Sequence, residues 1–352
     1  MKNNTDFYTQ RNNKNIETVN RLLDEDLPPF CLDYFMAIDS MTSTLTRLNY
    51  AHDLKIFFDF LCKKRFRGNK TIKDLTLVDL EGVTNNDIEY FLVYLTHYDY
   101  GGTEHSCNER AKARKLSSVR AMFKHFFNKG QIAVDNSAKV ATPKLHDKPI
   151  IRLDGDEVFN IIDTAETGSG LTKRQLAFHE KSKVRDTAIL LLFLGTGIRI
   201  SELVGLNNKD INFKDNSFLV TRKGGSKSIL YFDDDVAEAL QKYMDYKDEC
   251  ELANSGEDAL FLSSQKKRIT VRAVENLVEK YAKIVSPLKK ISPHKLRSTY
   301  GTQLYKATGD IYIVADVLGH KDVNTTRKHY AAISEDTRRA VVGKVKLRPD
   351  ED

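Results

Sequence analysis

From Pro28 to about Lys129, apolar residues recur at the i, i+3, i+4, i+7 spacing of amphipathic helices. The stretches "LPPFCLDYFMAI" and "TLTRLNYAHDLKIFFDFLCKKRF" carry this pattern, and "TNNDIEYFLVYLTHY" places polar cap candidates ahead of its periodic run. "NERAKARKLSSVRAMFKHFFNKG" predicts a long basic helix over 109–129. Its apolar stripe includes Leu116, Val119, Met122, Phe123 and Phe126, and Gly130 ends it. No strand alternation stands out, so the spacing predicts an all-α domain of about four or five helices over 28–130. Residues 1–27 are polar and Asn-rich and read as an N-terminal extension, with one helix expected around "IETVNRLLDED".

Beyond Gly130 the pattern changes. "VDNSAKVATPKLHDKPIIRL" is extended, basic and punctuated by Pro143 and Pro149, so residues 131–152 read as a linker. A mixed domain is expected over 153–335, followed by a tail over 336–352. Its helices are "LDGDEVFNIIDTAE", acidic in the first turn, the buried "RDTAILLLFLGTG", "DVAEALQKYMDYKDE", "TVRAVENLVEKYAKIV", "SPHKLRSTYGTQLYKA", "DIYIVADVLGH" and "NTTRKHYAAI". Two β-rich runs flank a Gly-Gly turn in "FLVTRKGGSKSILYF", which predicts a hairpin. "TGSGLTKRQLAFHEKSK" reads as an exposed loop or insertion.

The chain has 352 residues, 41% hydrophobic and 30% charged, which suits a soluble two-domain globular protein. The longest apolar run, "AILLLFLG", is too short to span a bilayer, and the N-terminus lacks the apolar core of a secretory signal. Cys31, Cys62, Cys107 and Cys250 are scattered, with no metal-binding or disulfide spacing, so a cytoplasmic location with reduced thiols is expected. Net charge is +6 and unevenly spread. Residues 109–152 hold eleven Lys and Arg against three acidic residues. Such an excess is the electrostatic footprint of a phosphate-backbone binder, or else a solvated basic face. Candidate contacts are Arg110, Lys112, Arg114, Lys115, Arg120, Lys124 and Lys144.

Several residues of the second domain sit at structural junctions. Arg199, in "GTGIRISELVGL", follows a buried helix and a Gly-Thr-Gly turn. It is either a surface accident or a cation held at the mouth of a packed core. With Ser292 as N-cap and Pro293 as first helical residue, His294 and Arg297 share one face near a helix N-terminus, a place suited to an anion. Gly319 reads as a helix-ending residue with His320 just beyond it, and Tyr330 lies in the next short helix. The hairpin offers Lys223, with Arg222 and Lys227 as alternatives that composition does not separate. Each alone reads as a cap, a packing residue or a solvated charge.

Together, "GTGIRISELVGLNNKDI", "RKGGSKSILYF", "SPHKLRSTYGTQL" and "VLGHKDVNTTRKHYAAI" resemble the tyrosine recombinases, or phage-type integrases, and look most like the Xer-type recombinases. The segment "NSAKVATPK" resembles the family's interdomain connection, and the resemblance runs from about Pro28 onward. It implies a helical, SAM-like core-binding domain and a mainly α catalytic domain with a small β-sheet. It implies Arg199, Lys223, His294, Arg297, His320 and Tyr330 as the catalytic set: Tyr330 as nucleophile, Lys223 as general acid, Glu202 as support for the arginines. His320 and Tyr330 are ten positions apart, where about nine is expected in many relatives. An added helical residue would turn a side chain by about 100°, so the extra residue is assigned to the turn around "KDVNT".

The implied reaction is cutting and rejoining of duplex DNA through a 3′-phosphotyrosyl intermediate, in a homotetramer on a specific site. Such an enzyme acts at the nucleoid, in chromosome segregation or for a mobile element, with room for a paralogous recombinase or accessory protein as partner. No acidic cluster suited to magnesium and no Walker-type loop is evident, so neither metal nor nucleotide cofactor is expected. The tail 336–352, with Ala340, Val341, Val342 and Val345, is expected to dock on a neighbouring protomer. A silent DNA-binding regulator and a type IB topoisomerase-like enzyme are the competing readings.

Overall fold

The computed structural model describes residues 6–145, 151–222, 224–250, 257–320 and 323. The chain divides into two compact units, Met1–Lys148 and Pro149–Asp352.

The first unit is built from α1 (Phe7–Glu25), α2 (Cys31–Ala37), α3 (Thr44–Phe60), α4 (Leu77–Glu81), α5 (Asn85–Tyr94) and α6 (Glu109–Asn128). Oxygens of Ser43, Thr76, Thr84 and Asn108 take backbone N–H groups at the starts of α3, α4, α5 and α6. The apolar stripe of α6, Leu116 to Phe126, is fully buried and meets Phe57, Phe58 and Phe91 in one aromatic core. Three sequence expectations are corrected here. Residues 6–27 of the expected extension are part of this unit: α1 packs on α3, and Val19, Leu22 and Leu27 enter the core. The unit is not purely helical, because β1 (Tyr98–Tyr100) and β2 (Thr103–His105) pair antiparallel across Gly101-Gly102. The first part of the expected linker is folded onto this unit. Ile132 and Val140 are buried, and the Arg120 guanidinium donates to the carbonyls of Ser137 and Val140 and to Thr142 Oγ1.

The second unit contains α7 (Gly155–Thr167), α8 (Lys173–His179), α9 (Lys183–Thr196), α10 (Ile200–Gly205), α11 (Asp234–Glu249), α12 (Val271–Val285), α13 (Pro293–Thr308) and α14 (Ile311–Leu318). The continuous apolar run of α9 is buried because α7, α11 and α13 all pack on it. The expected hairpin is β4 (Ser217–Thr221) and β5 (Lys227–Tyr231), with Phe218 opposite Leu230 and Thr221 opposite Lys227. β3 (Ile211–Asn212) extends it to a three-stranded antiparallel sheet. The segment read as an exposed insertion carries α8, whose His179 is fully buried and within 3.2 Å of Tyr281 Oη on α12. The expected helix "NTTRKHYAAI" and the tail 336–352 lie outside the described residues.

Candidate active site

The Gly-Thr-Gly turn ends α9 and sets the site. Thr196 donates its hydroxyl to the Leu192 carbonyl and accepts the Ile198 N–H. Gly197 has φ +62°, in the left-handed region. A Cβ there would lie 2.5 Å from Tyr300 Cδ1 and 2.9 Å from Leu318 Cδ2, so both conformation and packing demand glycine. The turn sends Ile198 into the core and leaves Arg199 at the N-cap position of α10. Glu202, one turn on and 2% exposed, takes the Arg199 backbone N–H at 3.0 Å and its guanidinium at 2.8 Å. Arg199 is therefore a held cation and not a surface accident.

Arg199 reaches the end of α14, where its Nη2 donates to the Gly319 carbonyl at 2.8 Å. Arg297, buried on α13, donates to the carbonyls of Gly197 and Leu318. Arg222, the first residue after β4, donates to the Val317 carbonyl at 3.1 Å and lies 3.4 Å from both oxygens of Glu202. The α14 terminus closes with the His320 N–H on the Ala315 carbonyl and the Gly319 N–H on the Asp316 carbonyl, a Schellman arrangement with Gly319 at φ +58°. That closure leaves the carbonyls of 317, 318 and 319 for three arginines from three different elements. Positive groups at a helix C-terminus also oppose its partial negative charge. One carboxylate, Glu202, is hydrogen-bonded within this group of three guanidinium ions, so the cluster keeps a positive excess.

Of the residues expected from sequence, Arg199, Glu202, Arg297 and the turn before His320 are brought together directly. His294 lies at the exposed start of α13, one turn before Arg297. Ser292 holds the N-cap position and Pro293 the first helical one. Lys223 and Tyr330 lie outside the described residues. Arg222, which composition left level with Lys223 and Lys227, proves to be a member of the cluster. Its sequence signal was only its place at the strand end.

The basic helix divides by exposure. Arg110, Lys124 and Lys144 are exposed, and Lys112 donates to Thr96 Oγ1 at 2.8 Å from a partly buried position. Lys115 is corrected: it is buried, with its ammonium 3.0 Å from Asp53 Oδ1, and has no open face for a phosphate. Asp53, 1% exposed on α3, also accepts from Arg114 and from Ser118 Oγ at 2.8 Å. Arg114 keeps about half of its side chain exposed. Arg120 is turned toward the segment 137–142. Among the described residues, no group of His, Cys, Asp or Glu is arranged to hold a metal ion, and no helix is long and apolar enough to cross a membrane.

Residues 152–336, which include the whole arginine cluster, match the phage integrase family. The tyrosine recombinase XerS of Streptococcus uberis is 29% identical over 343 residues, covering 90% of this chain and 95% of its own. The tyrosine recombinase XerC of Caldanaerobacter subterraneus subsp. tengcongensis is 31% identical over 320 residues, covering 88% and 84%. The solved XerH site-specific recombinase, in a post-cleavage complex with a palindromic difH substrate, has the same fold. Its TM-score is 0.63 at 19% identity, covering 82% of this chain and 76% of that one. A lambda integrase fragment bound as a dimer to a core site gives 0.58 at 20% identity, covering 91% and 98%. With that match spanning more than half of the chain and its arginines gathered at one helix end, this protein belongs to the phage integrase family, as an Xer-like tyrosine site-specific recombinase.

Proposed function

We propose that the chain cuts and rejoins duplex DNA at a specific site through a covalent 3′-phosphotyrosyl intermediate, in a tetramer that exchanges strands. The observation that carries this reading is the convergence of Arg199, Arg222 and Arg297 on the last carbonyls of α14, with Glu202 between two of them. A pentacoordinate phosphorane bears extra negative charge on its non-bridging oxygens. Donors already fixed before substrate arrives are worth most there, because they need no reorganisation. Arg199 and Arg297 supply fork-shaped donors, and His294 and His320 supply ring N–H groups.

In the proposed step the Tyr330 oxygen attacks phosphorus. The P–O bond to Tyr330 forms as the P–O5′ bond breaks, the phenolic proton passes to His294, and Lys223 delivers a proton to the departing 5′-oxygen. A free tyrosine has a pKa near 10, and the arginine charge favours its ionised form. The phosphotyrosyl ester keeps the energy of the phosphodiester, so rejoining by the reverse step needs neither nucleotide nor metal. On the first unit, Arg110, Lys112, Lys124 and Lys144 are the proposed phosphate contacts, with the exposed half of Arg114 beside them. The tail 336–352 is proposed to dock on a neighbouring protomer and couple their cleavages.

The test is covalent trapping. The full chain and its Tyr330→Phe variant are incubated with nicked duplexes tiled from the DNA around the gene and from the host replication terminus. The expected result is a denaturant-stable 3′-adduct with wild type only. An adduct that persists in Tyr330→Phe would reassign the nucleophile. Specific binding with no adduct would replace the enzyme by a DNA-binding regulator, and relaxation of plasmids without a specific site would favour a topoisomerase.

A further inference from the structure

We infer that Arg222 is a positioning residue: it ties the β4–β5 turn to the helix end before His320, and so sets where the turn delivers its proton. The inference rests on the strand-cleaving reading above. A guanidinium is a poor proton donor at neutral pH, so Arg222 is not assigned the proton delivery itself. Its side chain is 10% exposed, and both terminal nitrogens have partners. Nη2 holds the Val317 carbonyl, and Nη1 faces Glu202, which in turn holds Arg199. The guanidinium lies flat against the residue preceding His320: a Cβ on Gly319 would sit 2.9 Å from Arg222 Cζ and 3.1 Å from its Nε. The backbone of Arg222 is pinned as well. Its N–H donates to the Ser226 carbonyl at 2.7 Å, and its carbonyl accepts from Gly225 at 3.0 Å, which closes the turn.

Among the described residues, the far side of the turn has no such side-chain packing. Gly224 and Gly225 have φ of +99° and +85°, and a Cβ on either would meet nothing within 4 Å. Close packing therefore fixes this turn from the Arg222 side. Lys223 is the next residue in the chain. A general acid must come within about 3 Å of the leaving oxygen to act, so the anchor before it controls its reach.

The proposal makes a chemical prediction that a merely structural role does not. A 5′-bridging sulfur in the scissile linkage leaves as a thiolate when the P–S bond breaks, and needs no proton. Single-turnover cleavage is measured for the full chain on the nicked duplex that traps wild type, with oxygen or sulfur at that position. Lys223→Ala is the control for the general acid. Arg222→Ala is expected to cleave the oxygen-linked duplex at least about 10²-fold more slowly than wild type, in the range of lost general-acid catalysis. On the sulfur-linked duplex it is expected within about threefold of wild type, as for Lys223→Ala. Arg222→Lys, which keeps the charge but not the fork, is expected to show the same selective loss and serves if the alanine variant does not fold. Equal losses on both duplexes, or no loss on either, would overturn the inference. Failure of sulfur to rescue Lys223→Ala would instead remove the general-acid role, and with it what Arg222 is inferred to position. A wild type that cleaves neither duplex would refute both readings.

Discussion

Replacing Glu202 by Gln changes no volume and tests how the arginine cluster is held. Oε1 accepts from Arg199 Nη1 at 2.8 Å, Oε2 accepts the Arg199 N–H at 3.0 Å, and Arg222 Nη1 lies 3.4 Å from each. A glutamine keeps one of these oxygens and places an N–H2 group where the other was. That group then faces a donor, whichever way the amide turns. One charge-assisted bond is lost, worth about 1.5–3 kcal/mol, and two guanidinium groups lose their counter-charge. Solvent relieves part of this at Arg199, whose side chain is 29% exposed, and little of it at Arg222, at 10%. The net expectation is about 2–4 kcal/mol of destabilisation. At roughly 2–4 °C per kcal/mol for a unit of this size, Tm should fall by roughly 5–15 °C. Calorimetry on the full chain measures this in the transition of the second unit. The trapping assay should show about 10²-fold slower adduct formation as Arg199 loses its fixed geometry. A Glu202→Gln protein with wild-type Tm and wild-type adduct rate would refute the claim that this carboxylate organises the cluster.

Four other perturbations have definite expected outcomes. Asp53→Asn leaves Lys115 buried without its charge partner and should cost about 3–5 kcal/mol in urea unfolding. Lys124→Ala, on the exposed face, should leave the urea midpoint unchanged while lowering the slope of log K against log salt for duplex binding by about one. Gly197→Ala forces a left-handed backbone and a 2.5 Å approach to Tyr300, so it should cost at least about 1–3 kcal/mol and abolish adduct formation. Burial, followed by the charge of Lys280, holds the His179 pKa below its ordinary 6.5. The unfolded chain therefore binds a proton that the folded one refuses, and stability is lost as pH falls below about 6.5. Thermal melts between pH 7.5 and 5.5 should show that loss, and His179→Phe should flatten it.

What could be read before the structure follows from how local the determining contacts are. Helix α6 announces itself because Leu116 to Phe126 repeat at helical spacing and Asn108 caps the start. The turn at Gly197 and the stop at Gly319 are legible for the same reason. The hairpin β1–β2 was missed although Gly101-Gly102 is a hairpin signal, because its three-residue strands are too short to alternate visibly. A helix is legible around "IETVNRLLDED", but its place in the domain is not, because Val19 and Leu22 are sparse among polar neighbours. Only packing on α3 shows that they are core. Lys115 looked like its basic neighbours, and what separates it is Asp53, sixty-two positions away on another helix. That aspartate had a faint signal, since it sits among Leu54 and Phe57 on the buried side of α3. Arg222 had less, because its partners come from two other elements, α10 and α14.

The arginine cluster also explains why so much of this site can be folded before any ligand binds. A helix leaves its last carbonyls without intrahelical partners, and they must be satisfied by something. At the end of α14 the Schellman closure takes two of them, and Arg222, Arg297 and Arg199 take the carbonyls of 317, 318 and 319. The capping requirement of one short helix thus draws residues from the β4–β5 turn, α13 and the N-terminus of α10 to one point. Each arginine is oriented by a carbonyl that cannot ionise or move far without unwinding the helix. Like charges that would otherwise repel are held together by these carbonyls and by Glu202, so their positive field stands ready for the proposed phosphate. The strength of that field and the stability of the α14 terminus are then one quantity. Substitutions that loosen the cap at Gly319, Arg199 or Arg297 should lower both together.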